Sequence, residues 1–136
     1  MEAAKRTRGR GKASGNRILL VEDHEALAAL RSAVLRKQGY GVVLTANGLE
    51  ACRLLERESF DLVVTDARLS DGSGWEVARA AKKRRLPVIL STGWPLPRRA
   101  QDVDYILSKP CSITHFLALV HRALQKSQAA EPKARG

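Results

Sequence analysis

The chain has 136 residues, 44% hydrophobic and 28% charged, with a net charge of +10, a composition that suits one packed domain and excludes a disordered polymer. Half of the excess charge lies in residues 1–17, where Lys5, Arg6, Arg8, Arg10, Lys12 and Arg17 are opposed by Glu2 alone, so a basic surface over the whole domain is not implied. No run of about eighteen apolar residues is present to span a membrane, and Cys52 and Cys111 lack the paired spacing of a zinc or redox motif.

Residues 1–16, MEAAKRTRGRGKASGN, carry no periodic apolar positions and read as a flexible basic arm. The apolar run at 18–21 predicts a first strand. Glu22, Asp23, His24 and Glu25 cut that run too short for a secretory signal, so the cytoplasm is the expected compartment. Leu27, Leu30 and Val34 recur at helical spacing and predict an amphipathic helix closing at Gly39. A second strand is predicted at 40–45. Asn47 is placed to cap the helix that follows, with Ala51, Leu54 and Leu55 facing inward. The stretch FDLVVTD at 60–66 is apolar and β-branched between Asp61 and Asp66, the pattern of a strand buried on both faces of a parallel sheet.

SDGSGW at 70–75 reads as a glycine-rich turn. A helix follows with Trp75, Ala78 and Ala81 inward. Its C-terminal end carries the basic run 82–85, which suits the helix dipole. A fourth strand is predicted at 87–91, opening on Pro87, where a strand tolerates proline. A fifth is predicted at 104–108. The closing helix is predicted at 112–124, with Ile113, Phe116, Leu117, Val120 and Leu124 on one face, and 126–136 as a disordered basic tail. Strands separated by helices imply an α/β domain of (βα)₅ type, with a parallel five-stranded sheet and helices on both faces. No GxGxxG follows the first strand, which excludes a Rossmann dinucleotide site.

In a parallel sheet the carboxyl ends of all strands share one edge, where open α/β folds place their ligands. Here those ends carry Glu22 and Asp23, then Asp66, then Ser91 and Thr92, then Lys109 before Pro110. Singly, each has an ordinary explanation. Acidic residues suit a helix start, threonine a turn, lysine a solvated loop, and His24 and His115 suit capping or surface positions. Together they put three carboxylates, a hydroxyl and an ammonium in one place. Clustered carboxylates repel unless a cation joins them. Mg²⁺ takes oxygen ligands and commonly bridges carboxylates to a phosphate. A carboxylate can also act as the nucleophile toward phosphorus, with a metal, an ammonium and a hydroxyl neutralising the phosphoryl oxygens.

The motifs ILLVED at 18–23, DLVVTD at 61–66, VILST at 88–92 and SKP at 108–110 resemble the receiver domain of two-component response regulators, over residues 17–125. The resemblance implies the flavodoxin-like sheet in the order 2-1-3-4-5; a receiver is one of the standard examples of that order. It implies Asp66 as phosphoacceptor, and Mg²⁺ held by Glu22, Asp23, Asp66 and the backbone carbonyl of Arg68. It further implies Thr92 as the switch hydroxyl, Lys109 as the phosphoryl-pairing lysine, and a cis peptide before Pro110. Arg68 and Trp94 stand where the family tunes phosphoryl lifetime, and both are bulky enough to shield the group. The donor would be a phosphohistidine on a histidine kinase or phosphotransfer protein. The chain would catalyse only its own phosphorylation and dephosphorylation.

Two departures from the family pattern stand out. The aromatic residue usual three positions before the lysine is replaced by Ile106, with Tyr105 on the opposite face of the strand. The segment from Thr92 to Lys109 is short and contains Pro95 and Pro97, which predicts a fourth helix reduced to about one turn near Pro97. The twelve residues after Leu124 are too few for a DNA-binding output domain. Signalling is therefore expected through contact with a downstream protein, or as a phosphate sink or detached receiver of a hybrid kinase. The basic arm leaves binding of nucleic acid or an acidic partner as a reading from another class. A hydrolase using Asp66 would need a second carboxylate where Arg68 stands.

Overall fold

Five strands are built from the apolar runs: β1 (Arg17–Val21), β2 (Gly41–Thr45), β3 (Leu62–Asp66), β4 (Val88–Thr92) and β5 (Tyr105–Ser108). They are separated by helices α1 (Glu25–Lys37), α2 (Gly48–Arg57) and α3 (Gly74–Lys83), and followed by a closing helix (Ile113–Arg135). The computed structural model describes residues 15–93 and 103–135. Residues 1–14 of the basic arm, Trp94 and the shortened helix expected near Pro97 lie outside them. All five strands run parallel, in the order 2-1-3-4-5. No helix among the described residues is long and apolar enough to cross a membrane.

The core lies on both faces of the sheet, because successive side chains of a strand point to opposite sides. Leu19, Val21 and Val63 meet α2 and α3 through Leu55, Val77 and Ala81. Ile18, Leu20, Leu62 and Val64 meet α1 and the closing helix through Leu35, Phe116 and Val120. All of β3 is buried, as FDLVVTD predicts. β2 is the exposed edge.

Local signals explain most boundaries. Asn47 caps α2 by accepting from the Glu50 N–H at 2.7 Å. The Asp71 carboxylate accepts from the Gly48 and Leu49 N–H groups at 3.0 Å each, which holds its pKa below the usual carboxylate value. α1 begins on His24, whose Nδ1 accepts from the Leu27 N–H. It ends on Gly39, at φ +98°, where glycine carries no Cβ penalty. α3 ends in the same way, but on Arg85 at φ +62°, a conformation that costs a side-chain-bearing residue about 1 kcal/mol. Arg85→Gly is therefore expected to stabilise the domain by about 1 kcal/mol. Thermal melting checks this, and a lower melting temperature would refute it.

Three expectations are corrected. The inward face of α1 is Ala28, Arg31, Ser32 and Leu35, while Leu30 is 48% exposed and Leu27 and Val34 are only part-buried. The stripe is rotated because Arg31 turns inward to reach Glu22. On α3, Val77 is fully buried and Trp75 only partly, since Gly74 rather than Trp75 lies against the end of β3. The closing helix continues to Arg135, across the segment expected as a disordered tail. Lys126, Gln128, Ala129, Ala130 and Glu131 are good helix formers, which accounts for the continuation as far as Pro132 but not beyond it. The basic end of α3 also does more than face a dipole, because Lys82 pairs with Asp104 at 2.8 Å.

Candidate functional site

The sheet delivers its polar residues to one edge. Register pairs Asp66 with Ser91 and Thr92 with Ser108, so the ends of β3, β4 and β5 are level. Glu22 is fixed where β1 ends by its N–H donating to the Thr45 carbonyl at 3.0 Å. The Lys109 N–H donates to the Thr92 carbonyl at 2.8 Å, which ties the lysine backbone to the end of β4. The Lys109–Pro110 peptide is cis. Tyr105 and Leu107 pack on the closing-helix side of the sheet, and Ile106, one residue along, points to the other face.

Glu22, Asp23 and Asp66 each present a carboxylate oxygen within 4.8 Å of the others. Glu22, Asp66 and Thr92 are buried, and Asp23 is half-buried. The Lys109 Nζ lies 2.6 Å from Asp66 Oδ1 and 4.0 Å from Glu22 Oε2. One ammonium thus faces a cluster of three carboxylates. The pKa of Glu22 is pushed up to about 7, first by burial and then by its hydrogen bond to Asp66 and the charge of Asp66. The His24 N–H, donating at 3.1 Å, and Lys109 pull it down without cancelling the rise.

The donor set consists of oxygens only, all carboxylate, with negative charge in excess. This fits a hard divalent cation such as Mg²⁺ and not a soft thiolate-seeking metal. A buried hydroxyl at Thr92 and the Lys109 ammonium on the same edge suit a phosphoryl group beside that cation.

Of the residues expected at the site, Glu22, Asp23, Asp66, Thr92 and Lys109 all reach this edge. Arg68 lies two residues past Asp66, in a short hairpin that pairs Arg68–Leu69 with Gly72–Ser73, and its side chain is exposed. Sequence reasoning missed three neighbours. Ser70 donates to Asp23 Oδ2 from both its N–H and its hydroxyl, at 2.8 Å each. Gly74 lies directly against the Asp66 backbone. Arg31 is 2% exposed and its Nη1 is 3.5 Å from Glu22 Oε1. The available signal for Arg31 was that positions 28, 31, 32 and 35 make an unbroken helical stripe with an arginine inside it.

Comparison with known proteins agrees with this geometry. The family model of the response regulator receiver domain matches residues 18–121. The polar-differentiation response regulator DivK of Brucella anthropi is 30% identical over 112 residues, covering 76% of this chain and 91% of DivK. The transcriptional regulatory protein GlrR of Escherichia coli K12 is 31% identical over 120 residues, covering 83% of this chain. The chain spans only 27% of the length of GlrR. Among solved structures, a CheY-like receiver from Methanospirillum hungatei superposes with a TM-score of 0.79 at 26% identity, over 85% of this chain and 98% of that one. The receiver domain of a sensor histidine kinase from Pseudomonas aeruginosa, with a magnesium ion coordinated in its active site cleft, gives 0.72 at 30% identity, over 82% and 98%. An acidic cluster level with a lysine at the carboxyl edge of a 2-1-3-4-5 sheet, and a family match across nearly all of that sheet, have one common account: the chain belongs to the response regulator receiver domain family.

Proposed function

We propose that this receiver accepts a phosphoryl group onto Asp66 from a phosphohistidine of a histidine kinase or phosphotransfer protein, and signals by conformational change through contact with a downstream protein. The observation that carries this reading is the pairing of Lys109 Nζ with Asp66 Oδ1 at 2.6 Å, inside a cluster of three carboxylates within 4.8 Å. A carboxylate oxygen of Asp66 would form the new bond to phosphorus. The phosphorus–nitrogen bond of the donor would break, with the electron pair left on the imidazole, which takes up a proton. Lys109, freed from its direct pairing with the carboxylate, would follow the negative charge onto the phosphoryl oxygens. The Thr92 hydroxyl would donate to one of them. Glu22, Asp23, Asp66 and the backbone carbonyl of Arg68 would hold Mg²⁺, which supplies positive charge to the transferring group. The Arg68 side chain would limit water at the phosphorylated aspartate.

This is a single-turnover phosphoacceptor that operates by population shift between two conformations, not an enzyme acting on a separate substrate. The test is incubation with acetyl phosphate and Mg²⁺, read by intact mass. Wild type is expected to gain one phosphoryl adduct, and to gain none when the metal is chelated. Asp66→Asn is expected to gain none. An adduct that persisted in Asp66→Asn would overturn the assignment, as would wild type remaining unmodified.

A further inference from the structure

Arg31 occupies a core position on α1, in one stripe with Ala28, Ser32 and Leu35. An aliphatic side chain would fill such a position at lower cost, since a buried guanidinium must be stripped of water and stays charged at every physiological pH. Its Nε is buried without a partner. The rest of the group touches four residues from separate parts of the chain. Nη1 lies 3.5 Å from Glu22 Oε1 and 3.4 Å from Ser91 Oγ. Nη2 lies 3.6 Å from Cys111 Sγ. The Phe116 ring is 4.7 Å below the guanidinium carbon.

These partners are placed to matter. Ser91 precedes Thr92 on β4, and Cys111 follows the Lys109–Pro110 pair. Glu22 belongs to the acidic cluster, and its two oxygens have separate duties. Oε2 faces the site, where it accepts from the His24 N–H and lies 4.0 Å from Lys109. Oε1 faces back toward Arg31. The contacts to Glu22 and Ser91 are long for hydrogen bonds, so the hold on Glu22 comes from charge acting at short range in a water-poor interior. A planar guanidinium stacked on Phe116 can hold Ser91, Cys111 and Glu22 together, which the single ammonium of a lysine cannot.

We propose that Arg31 is a positioning residue for cation binding: anchored on Ser91, Cys111 and Phe116, it holds Glu22 by Oε1 so that Oε2 faces the cluster. The proposal rests on the reading that the cluster holds Mg²⁺ and concerns how this chain prepares one of its carboxylates. Calorimetric titration of the full chain with Mg²⁺ tests it without involving phosphorylation. Arg31→Lys keeps the charge and the aliphatic stem but loses the fork. It is expected to raise the Mg²⁺ Kd about tenfold, as loss of an outer contact to a metal-binding group typically does. Ser91→Ala removes one anchor without touching a carboxylate, and is expected to raise the Kd in the same direction by a smaller factor. A wild-type Kd in Arg31→Lys overturns the proposal. Should Arg31→Lys fail to fold, a wild-type Kd in Ser91→Ala overturns it instead. Wild type that binds no Mg²⁺ would sink the metal reading and this proposal together. Mg²⁺ binding that is weakened in Arg31→Lys, in a protein that acetyl phosphate does not modify, would sink the phosphoacceptor reading alone.

Discussion

Gly74→Ala is expected to destabilise the domain by more than about 4 kcal/mol, beyond the usual range for a single substitution. A Cβ at position 74 would lie 1.7 Å from the Asp66 carbonyl oxygen and 2.8 Å from its carbon. Both are backbone atoms, so no rotamer change relieves the overlap, and either the end of β3 or the first turn of α3 must move. Neither is free to do so. β3 is buried along its length between β1 and β4, and the Gly74 N–H donates to the Ala67 carbonyl at 2.9 Å. The effect is steric and not conformational: Gly74 lacks the positive φ that would favour glycine for backbone reasons. Thermal melting should show a fall of about 15 °C or more for a domain of this size. A melting temperature within a few degrees of wild type would mean that α3 can pull back from β3. Any Gly74→Ala protein that does fold should also phosphorylate poorly, because the displaced backbone is that of Asp66 itself.

That close approach separates what the sequence announces from what it conceals. β3 was legible because five consecutive buried residues leave an apolar run with a charge at its end. The site was legible because a parallel sheet brings every strand end to one edge, so order along the chain predicts proximity in space. α2 was legible from Asn47, whose cap is local. The concealed features depend on contacts between distant positions that leave no period. Ser70 meets Asp23 across 47 residues and Asp71 meets Gly48 across 23. Arg31 was missed because an arginine on a helix ordinarily marks the solvent face, and Leu30 beside it was the better apolar candidate. The hairpin after Asp66 could be read only as a turn. In the structure it reaches the acidic cluster through Ser70 and the start of α2 through Asp71, so strain introduced at Asp66 would be felt at both.

Metal-free protein is expected to lose stability as pH rises from about 5 to 8, the reverse of what an ordinary paired carboxylate produces. The cause is Glu22, whose carboxyl is raised from 4.5 to about 7, by burial first and by Asp66 second. Arg31, at 3.5 Å and shared with Ser91, Cys111 and Phe116, does not cancel the burial. Below pH 4.5 folded and unfolded chains both hold this proton, and the group contributes no pH dependence. Between 4.5 and 7 the folded chain keeps a proton that the unfolded chain releases, so each step up in pH favours unfolding. Above 7 the full difference is present, on the order of 3 kcal/mol. A cation that joins the ionised cluster replaces the proton and removes the penalty. Mg²⁺ should therefore raise the melting temperature strongly at pH 8 and weakly at pH 5.5, and its affinity should climb through pH 7. Glu22→Gln resembles the protonated acid. It should flatten the metal-free profile and, at pH 8 without metal, melt above wild type. A metal-free wild type whose melting temperature is flat or rising from pH 5.5 to 8 would refute the argument, as would Glu22→Gln with the wild-type slope. The direction has a consequence for signalling. Near neutral pH the empty site is held against the repulsion of its own carboxylates. On the proposed reading, binding of the cation would then stabilise the fold and prepare Asp66 in one step.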